Sequence, residues 1–354
     1  MNDFEKVTPS FGTKSNLCLI LKEKISRNYQ KCHKRNAYLG GIMNKRVTIV
    51  GSFMVDLIAY TSRMPVLGET IFGNKFHLGA GGKGHNQAVA ASKLGASTNM
   101  VGRIGKDVFG DMFIEDLKKE GIGGEFVFRD SELTGIAQIN VVDDGSNSII
   151  IVPGANSNLS RHDIYNARDL LINTDILVLQ LEIPMEVCLE AAKSVDKENT
   201  LVILNPAPYI GEINEELLKN TSILVPNEIE FKELFNIKID DIDKNILKIR
   251  NQLSQFNIKY LIITVGKNGV ILISKDDFIN YDAVTANINT IDTTGAGDAF
   301  VGALAFYLSS DYSIYDSIKF SNICAGLSTS KVGTSCSYPI IKDIDEYIRK
   351  NKYI

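Results

Sequence analysis

From Val47 onward, short apolar runs alternate with stretches in which apolar residues recur every three or four positions. The runs Val47–Gly51, Asn99–Val101, Ile176–Leu181, Leu201–Asn205, Ile223–Pro226 and Tyr260–Val265 are the length of buried strands. Between or after them, His85–Leu94, Phe109–Glu120, Met185–Val195, Ile229–Leu234, Asp243–Gln255 and Gly297–Leu308 carry helical periodicity. Such alternation predicts an α/β fold, a doubly wound and mostly parallel sheet with helices on both faces. Two segments break the rhythm. Leu57 to Leu78 holds strand-like pieces around Pro65 and Gly68 with no helix between them. Thr134 to Pro153 reads as a hairpin, Ile136–Val142 and Ser148–Val152, turning at Asp143-Asp144-Gly145-Ser146. Together they suit a small β-sheet lid over a site at the strand ends.

Residues 1–43 differ in character from the rest of the chain. They are basic, their longest apolar run is Leu17 to Leu21, and Asp3, Glu5 and Glu23 argue against a transit peptide. The expectation is an extension outside the fold, with one domain over residues 44–354. At 44% apolar and 23% charged residues, the 354-residue chain has ordinary globular composition, and its net charge of -4 gives no reason to expect nucleic acid or an anionic membrane as partner. No apolar run approaches the roughly 18 residues of a membrane helix. Five cysteines without a Cys-x-x-Cys pair fit a reduced, cytoplasmic protein.

The richest candidate chemistry is Asp292-Thr293-Thr294-Gly295-Ala296-Gly297-Asp298, just where an amphipathic segment begins. Unpaired N–H groups and the positive dipole end at a helix start suit phosphate oxygens, and glycines admit close approach. Asp298 in that first turn can take a proton from a hydroxyl, so cradle and base together fit phosphoryl transfer to an alcohol. Read alone, Asp298 is equally an ordinary first-turn acid.

A second glycine-rich stretch, Gly79-Ala80-Gly81-Gly82-Lys83-Gly84-His85-Asn86-Gln87, matches Gly-x-Gly-x-x-Gly. A dinucleotide reading is disfavoured, because the better first strand lies well upstream and Asp107 sits in a loop. Lys83 and Asn86 instead offer donors to a polyol, or the stretch is simply a tight loop opening a helix near Asn86. Asp56 and Glu182 follow strands, on the ligand-binding edge of an open sheet. Glu230, three residues after Asn227, could hold a water on Mg²⁺ or merely oppose a helix dipole. Thr264 to Gly269 is a turn able to line a nucleotide, and Gly333-Thr334-Ser335-Cys336-Ser337 supplies hydroxyls and carbonyls.

With these motifs in this order, the chain from about Val47 to its end resembles the ribokinase-like carbohydrate kinases, a family that includes adenosine kinase and fructokinases. Gly81-Gly82-Lys83-Gly84-x-Asn86-Gln87 resembles its N-terminal signature, and Asp292 to Asp298 its C-terminal one. The resemblance implies ATP as phosphoryl donor and a homodimer formed through the lid. It makes Asp298 the base for a sugar 5-hydroxyl, and Gly295, Ala296 and Gly297 the anion hole. Asp56, Gly82, Lys83, Asn86 and Glu182 become sugar contacts, with Met54, Val55, Gly84 and His85 in the same stretches. The ATP site takes Asn227, Thr264, Val265, Gly266, Lys267, Asn268, Gly269 and Asn322, beside Gly297 and Asp298. Glu230 is tied to Mg²⁺. Asp292, Thr294, Ser328, Lys331, Gly333 and Ser337 fall where the family binds activating K⁺, several through carbonyls. His85 replaces a small residue and has no assigned role.

One departure concerns the substrate. Ribokinases usually read Gly-Ser-x-Asn-x-Asp after the first strand, where this chain has Gly51-Ser52-Phe53-Met54-Val55-Asp56. A thioether is a poor hydrogen-bond partner and favours apolar surface. Met54 therefore favours a sugar lacking a hydroxyl there. The runs around Met54–Thr61 and Gly333–Pro339 also resemble deoxyribokinases. The expected substrate is 2-deoxyribose, with ribose as the alternative if Met54 only packs. A silent sugar-binding protein on the same fold is a further alternative, against which the base and anion-hole motif count.

Overall fold

A computed structural model describes residues 45–285 and 287–351, so the stretch 1–43 lies outside the described residues. One compact unit takes in Asn44–Ile344. Its strands are β1 (Arg46–Val50), β2 (Met54–Thr61), β3 (Lys75–Gly81), β4 (Ser97–Gly105), β5 (Gly123–Asp130), β6 (Gly135–Val142), β7 (Asn147–Val152), β8 (Ile176–Leu179), β9 (Leu201–Leu204), β10 (Ile223–Leu224), β11 (Tyr260–Thr264), β12 (Val270–Ser274) and β13 (Phe278–Tyr281).

Nine strands form the main sheet in the order β13-β12-β11-β10-β9-β8-β1-β4-β5. From β11 to β5 every pairing is parallel. The last two strands run antiparallel, an edge that the alternation of runs did not reveal. Val47, Thr48, Ile49 and Val50 are wholly buried, as a central strand covered on both faces must be. β1 lies between β4 and β8, so the strand order reverses direction there. That is a switch point, where open α/β sheets leave a crevice beyond the strand ends.

The two rhythm-breaking segments form a separate four-stranded sheet, β3-β2-β6-β7. β2 and β6 pair in parallel, joining the excursions, while β6 and β7 form the expected hairpin. Its sheet begins at Met54, three residues before the expected Leu57, because β2 follows β1 after only Gly51, Ser52 and Phe53. Met54, Ala137 and Ile139 form a small core of its own, flanked by Ile58 and Val141.

Helix Lys83–Leu94 begins two residues before the expected His85. Gly82 takes φ 88, in the left-handed region that a side chain resists, and so Lys83, Gly84 and His85 form the first turn. Helix Ala296–Ser309 is buried along most of its length and packs on helices Lys83–Leu94 and Ile314–Ser328. Gly302 makes the first crossing close, since a Cβ there would lie 2.4 Å from the Gln87 carbonyl oxygen. Helix Ile314–Ser328 was not anticipated, because its apolar positions wrap round the helix instead of forming a stripe.

Candidate active site

The crevice at the switch point is floored by backbone. Gly84 lies against Gly51 and Ser52 so tightly that a Cβ on it would come 2.5 Å from the Ser52 nitrogen. This contact brings the start of helix Lys83–Leu94 to the end of β1. Glu182, just past β8, joins both pieces: its Oε2 accepts from Ser52 Oγ at 2.6 Å and from the Lys83 amide at 2.9 Å.

Asp298 enters from the far end of the sequence. Gly295, at φ 75, opens helix Ala296–Ser309, and its carbonyl accepts a hydrogen bond from Tyr338 Oη at 3.0 Å. The Ala296 amide turns back to Thr293, and the first helical bond runs from Ala299 to the Gly295 carbonyl. Gly297 and Asp298 therefore present amides without an intrahelical acceptor. An added Cβ on Gly297 would meet nothing within 4 Å, which leaves the approach to those amides open. The Asp298 carboxylate is buried and held by two side-chain amides: Asn86 Nδ2 donates to Oδ2 at 3.1 Å and Gln87 Nε2 to Oδ1 at 2.9 Å.

Three carboxylates act on the Lys83 ammonium, and a fourth, Asp56, lies in the field of two of them. Burial pushes the Asp56 carboxyl up to about 7, and the neighbouring charges of Glu182 and Asp298 add to the rise. Burial works against the Lys83 ammonium, yet Asp298, Glu182 and Glu230 outweigh it and raise its pKa. Burial also raises Glu230, with Asp298 adding to it, against the opposing Asn227 amide and Lys83. Asp56 crowds Gly81, where a Cβ would fall 2.5 Å from its Oδ2.

The remaining expected residues divide. Asn227 and Glu230 close a reciprocal capping box on helix Glu228–Phe235, with Asn227 Oδ1 accepting from the Glu230 amide at 2.9 Å and Glu230 Oε2 from the Asn227 amide at 2.8 Å. Thr264 ends β11, and Val265 to Gly269 form a one-turn loop with Gly266, Lys267 and Asn268 exposed. Asn322 spends a donor on the Asp282 carbonyl at 2.7 Å. Asp292 stitches two loops, accepting from the amides of Thr294 and Gly333, each at 2.9 Å. Ser328 and Ser337 direct their hydroxyls to the Ala325 and Thr334 carbonyls, and the Lys331 side chain is exposed. Met54 lines a cleft of about 290 Å³ with Glu182, Ile151, Ile183, Pro208 and Ile210. Val55 is wholly buried in its strand.

His85 departs from the sugar-contact grouping. Its ring is wholly buried between Phe53 and Phe113, and its Nε2 pairs with Asp116 at 2.9 Å, so it is a packing residue. Asp107 caps helix Val108–Lys119 and holds Thr134, which removes the acid a dinucleotide site would need. Among the described residues no group of three or more His, Cys, Asp or Glu could hold a metal ion. Sequence reasoning gave no role to Gln87, Gln180, Asn205 or Tyr338.

The raised Asp56 carboxyl has a stability consequence. Its folded pKa of about 7 lies above the ordinary 3.8, so the folded state binds this proton more tightly than the unfolded one. That contribution is complete below about pH 4 and is lost as pH rises through about 7. Asp56→Asn is therefore expected to raise the melting temperature of the ligand-free protein at pH 8, and by less at pH 5. Equal shifts at the two pH values in thermal unfolding would contradict the burial of this charge.

The sequence matches the pfkB family carbohydrate kinases over residues 44–341. It is 37% identical over 301 residues to a ribokinase of Mus musculus, covering 84% of this chain and 93% of that protein. A deoxyribokinase of Salmonella typhi is 36% identical over 307 residues, covering 86% and 99%. Among solved structures, Arabidopsis thaliana ribokinase complexed with ribose and ATP superposes with a TM-score of 0.79 at 31% identity, covering 87% of this chain and 99% of that one. The chain belongs to the pfkB family of carbohydrate kinases.

Proposed function

We propose that this kinase transfers the γ-phosphoryl group of ATP to the 5-hydroxyl of a pentose, and that 2-deoxy-D-ribose is preferred to D-ribose. The observation that carries the reaction is the buried Asp298 carboxylate in the same helical turn as the open Gly297 and Asp298 amides. Asp298 takes the proton as the hydroxyl oxygen bonds to phosphorus and the bond to the departing ADP breaks. The turn's amides receive the charge that develops on the transferring group. Asp56, Lys83, Asn86 and Glu182 surround the same space and suit the remaining hydroxyls. The ribose and ATP carried by the Arabidopsis relative support both substrates.

Two cations fit the donors present. Mg²⁺ keeps most of its waters and needs few carboxylates beside the phosphates. Glu230 suits it, since its capping bond occupies one oxygen and leaves the other. Bound there, Mg²⁺ would neutralise phosphate charge. For K⁺, the Asp292 bonds to Thr294 and Gly333 bring together the two loops whose carbonyls and hydroxyls would hold it, with Ser328, Lys331 and Ser337 nearby in sequence.

The sugar preference rests on Met54. It faces a cleft walled by Ile151, Ile183, Pro208 and Ile210 around the Glu182 carboxylate. A hydroxyl turned toward the Met54 thioether loses its water and gains only a poor hydrogen-bond partner, at about 1–3 kcal/mol. The ribose reading draws on a different observation, the packing of Met54 with Ala137 and Ile139.

Exposed Ile149, Ile150, Ile151 and Val152 on the edge strand β7 support association through the small sheet. Light scattering should then give the mass of two chains, and a single-chain mass would overturn the dimer. Rates are expected to be higher in K⁺ than in Na⁺ at equal ionic strength, because cation binding at Asp292 orders the loop preceding the anion hole. Equal rates would remove the K⁺ site. Wild type is expected to show the larger kcat/KM for 2-deoxyribose, and Met54→Asn to move the ratio toward ribose by roughly five- to 150-fold. A wild-type preference for ribose, or an unmoved ratio, would assign Met54 to packing alone.

A further inference from the structure

We infer that Gln87 is a positioning residue for the base: its side-chain amide fixes which oxygen of Asp298 meets the substrate hydroxyl, and its own orientation is dictated by Asn205 and Gln180. This deepens the assignment of Asp298 as base and rests on it.

The direction of every bond in this chain of amides follows from one group that can only accept. The Val225 carbonyl takes a hydrogen bond from Asn205 Nδ2 at 2.8 Å. Asn205 Oδ1 must therefore face the other way, where it accepts from Gln87 Nε2 at 3.1 Å. The second proton on that nitrogen goes to Asp298 Oδ1 at 2.9 Å. Both donors of Gln87 are thus committed, and its Oε1 accepts from Gln180 Nε2 at 2.7 Å. A flipped Gln87 would set its oxygen against both Asn205 Oδ1 and Asp298 Oδ1, and its N–H groups against those of Gln180.

Burial makes this polarity binding. Gln87 and Gln180 are wholly buried, and Asn205 and Asp298 are 8% and 7% exposed. No bulk water is at hand to repair a reversed amide, and an unmade buried hydrogen bond is costly. The terminal torsion of an aspartate is otherwise broad and nearly two-fold. With Oδ1 tied to Gln87, the carboxylate has one setting, and Oδ2, shared with Asn86, keeps a lone pair for the hydroxyl. Asp56, Lys83, Glu230 and Tyr338 set the field around Asp298, but none hydrogen-bonds it. Gln87 is wholly buried behind Asp298 and bonded to it, so its influence on the reaction passes through that carboxylate.

The test is a double-mutant cycle of Gln87→Met and Asp298→Asn, with kcat and sugar KM measured for all four proteins. Gln87→Met is expected to lower kcat about 10- to 100-fold, in line with the cost of a misaimed reacting group, and to leave KM within about threefold. Asp298→Asn is expected to lower kcat about 10²- to 10⁴-fold. In the Asp298→Asn background, Gln87→Met should change kcat by less than about twofold, since there is no base left to aim. A full further loss in that background, or an unchanged kcat for Gln87→Met alone, overturns the positioning role. Near wild-type kcat for Asp298→Asn overturns the base itself, a separate failure. Should Gln87→Met not fold, Gln180→Met takes its place: it removes the donor to Gln87 without touching Asp298. A smaller kcat loss, about three- to tenfold, that vanishes in the Asp298→Asn background is then expected. Persistence of that loss, or its absence in the wild-type background, overturns the proposal.

Discussion

Negative charge in a confined space is the constraint around which this molecule is arranged. Glu182, Glu230 and Asp298 act on Lys83, and Asp56 lies in the field of Glu182 and Asp298, more carboxylate than one ammonium can balance. Isolated buried charges are expensive, so each must find hydrogen bonds. Glu182 takes the Ser52 hydroxyl and the Lys83 amide, Glu230 closes a capping box, and Asp298 takes two side-chain amides. For Asp56 burial prevails, and its carboxyl is driven up to about 7. The resulting field favours groups that bring protons or positive charge: sugar hydroxyls, and cations accompanying a nucleotide.

Bringing these groups together requires backbone to touch backbone. Gly84 against Gly51 and Ser52 sets the helix start on the central strand, and Gly302 against the Gln87 carbonyl sets the C-terminal helix on that helix. Asn86 and Asp298, 212 residues apart in sequence, thereby come within hydrogen-bonding distance. Methyl groups at either glycine would separate elements whose alignment brings Asn86 and Gln87 to Asp298. Interiors packed this closely transmit such displacements instead of absorbing them.

The sequence disclosed the layers and the glycine motifs because both are local. Strand and helix periods show in short windows, and Gly295-Ala296-Gly297-Asp298 announces a helix start by composition alone. Partnership is not local. That β2 and β6 pair in parallel, or that β12 and β13 reverse the sheet edge, depends on segments whose own patterns do not name their neighbours. Gln180 and Asn205 lie at strand ends and read as unremarkable polar residues. Only the fold shows that they share a buried chain of amides with Gln87. His85 misled in the opposite sense: its place within a glycine-rich motif suggested a contact, whereas the helical turn begun at Gly82 points its ring between Phe53 and Phe113.

The short step of Gly51, Ser52 and Phe53 from β1 into β2 places Met54 and Asp56 on a sheet that is separate from the one supporting Asp298. Met54 and Asp56 thereby lie in a different stretch of the chain, and in a different layer, from Lys83, Asn86, Glu182 and Asp298. Point changes within this one eight-residue strand can alter Met54 and Asp56 while leaving helix Ala296–Ser309 as it is. Diversification of this kind needs no compensating rearrangement in the deep interior. The architecture lends itself to a series of relatives that share a reaction and differ in the sugar they accept.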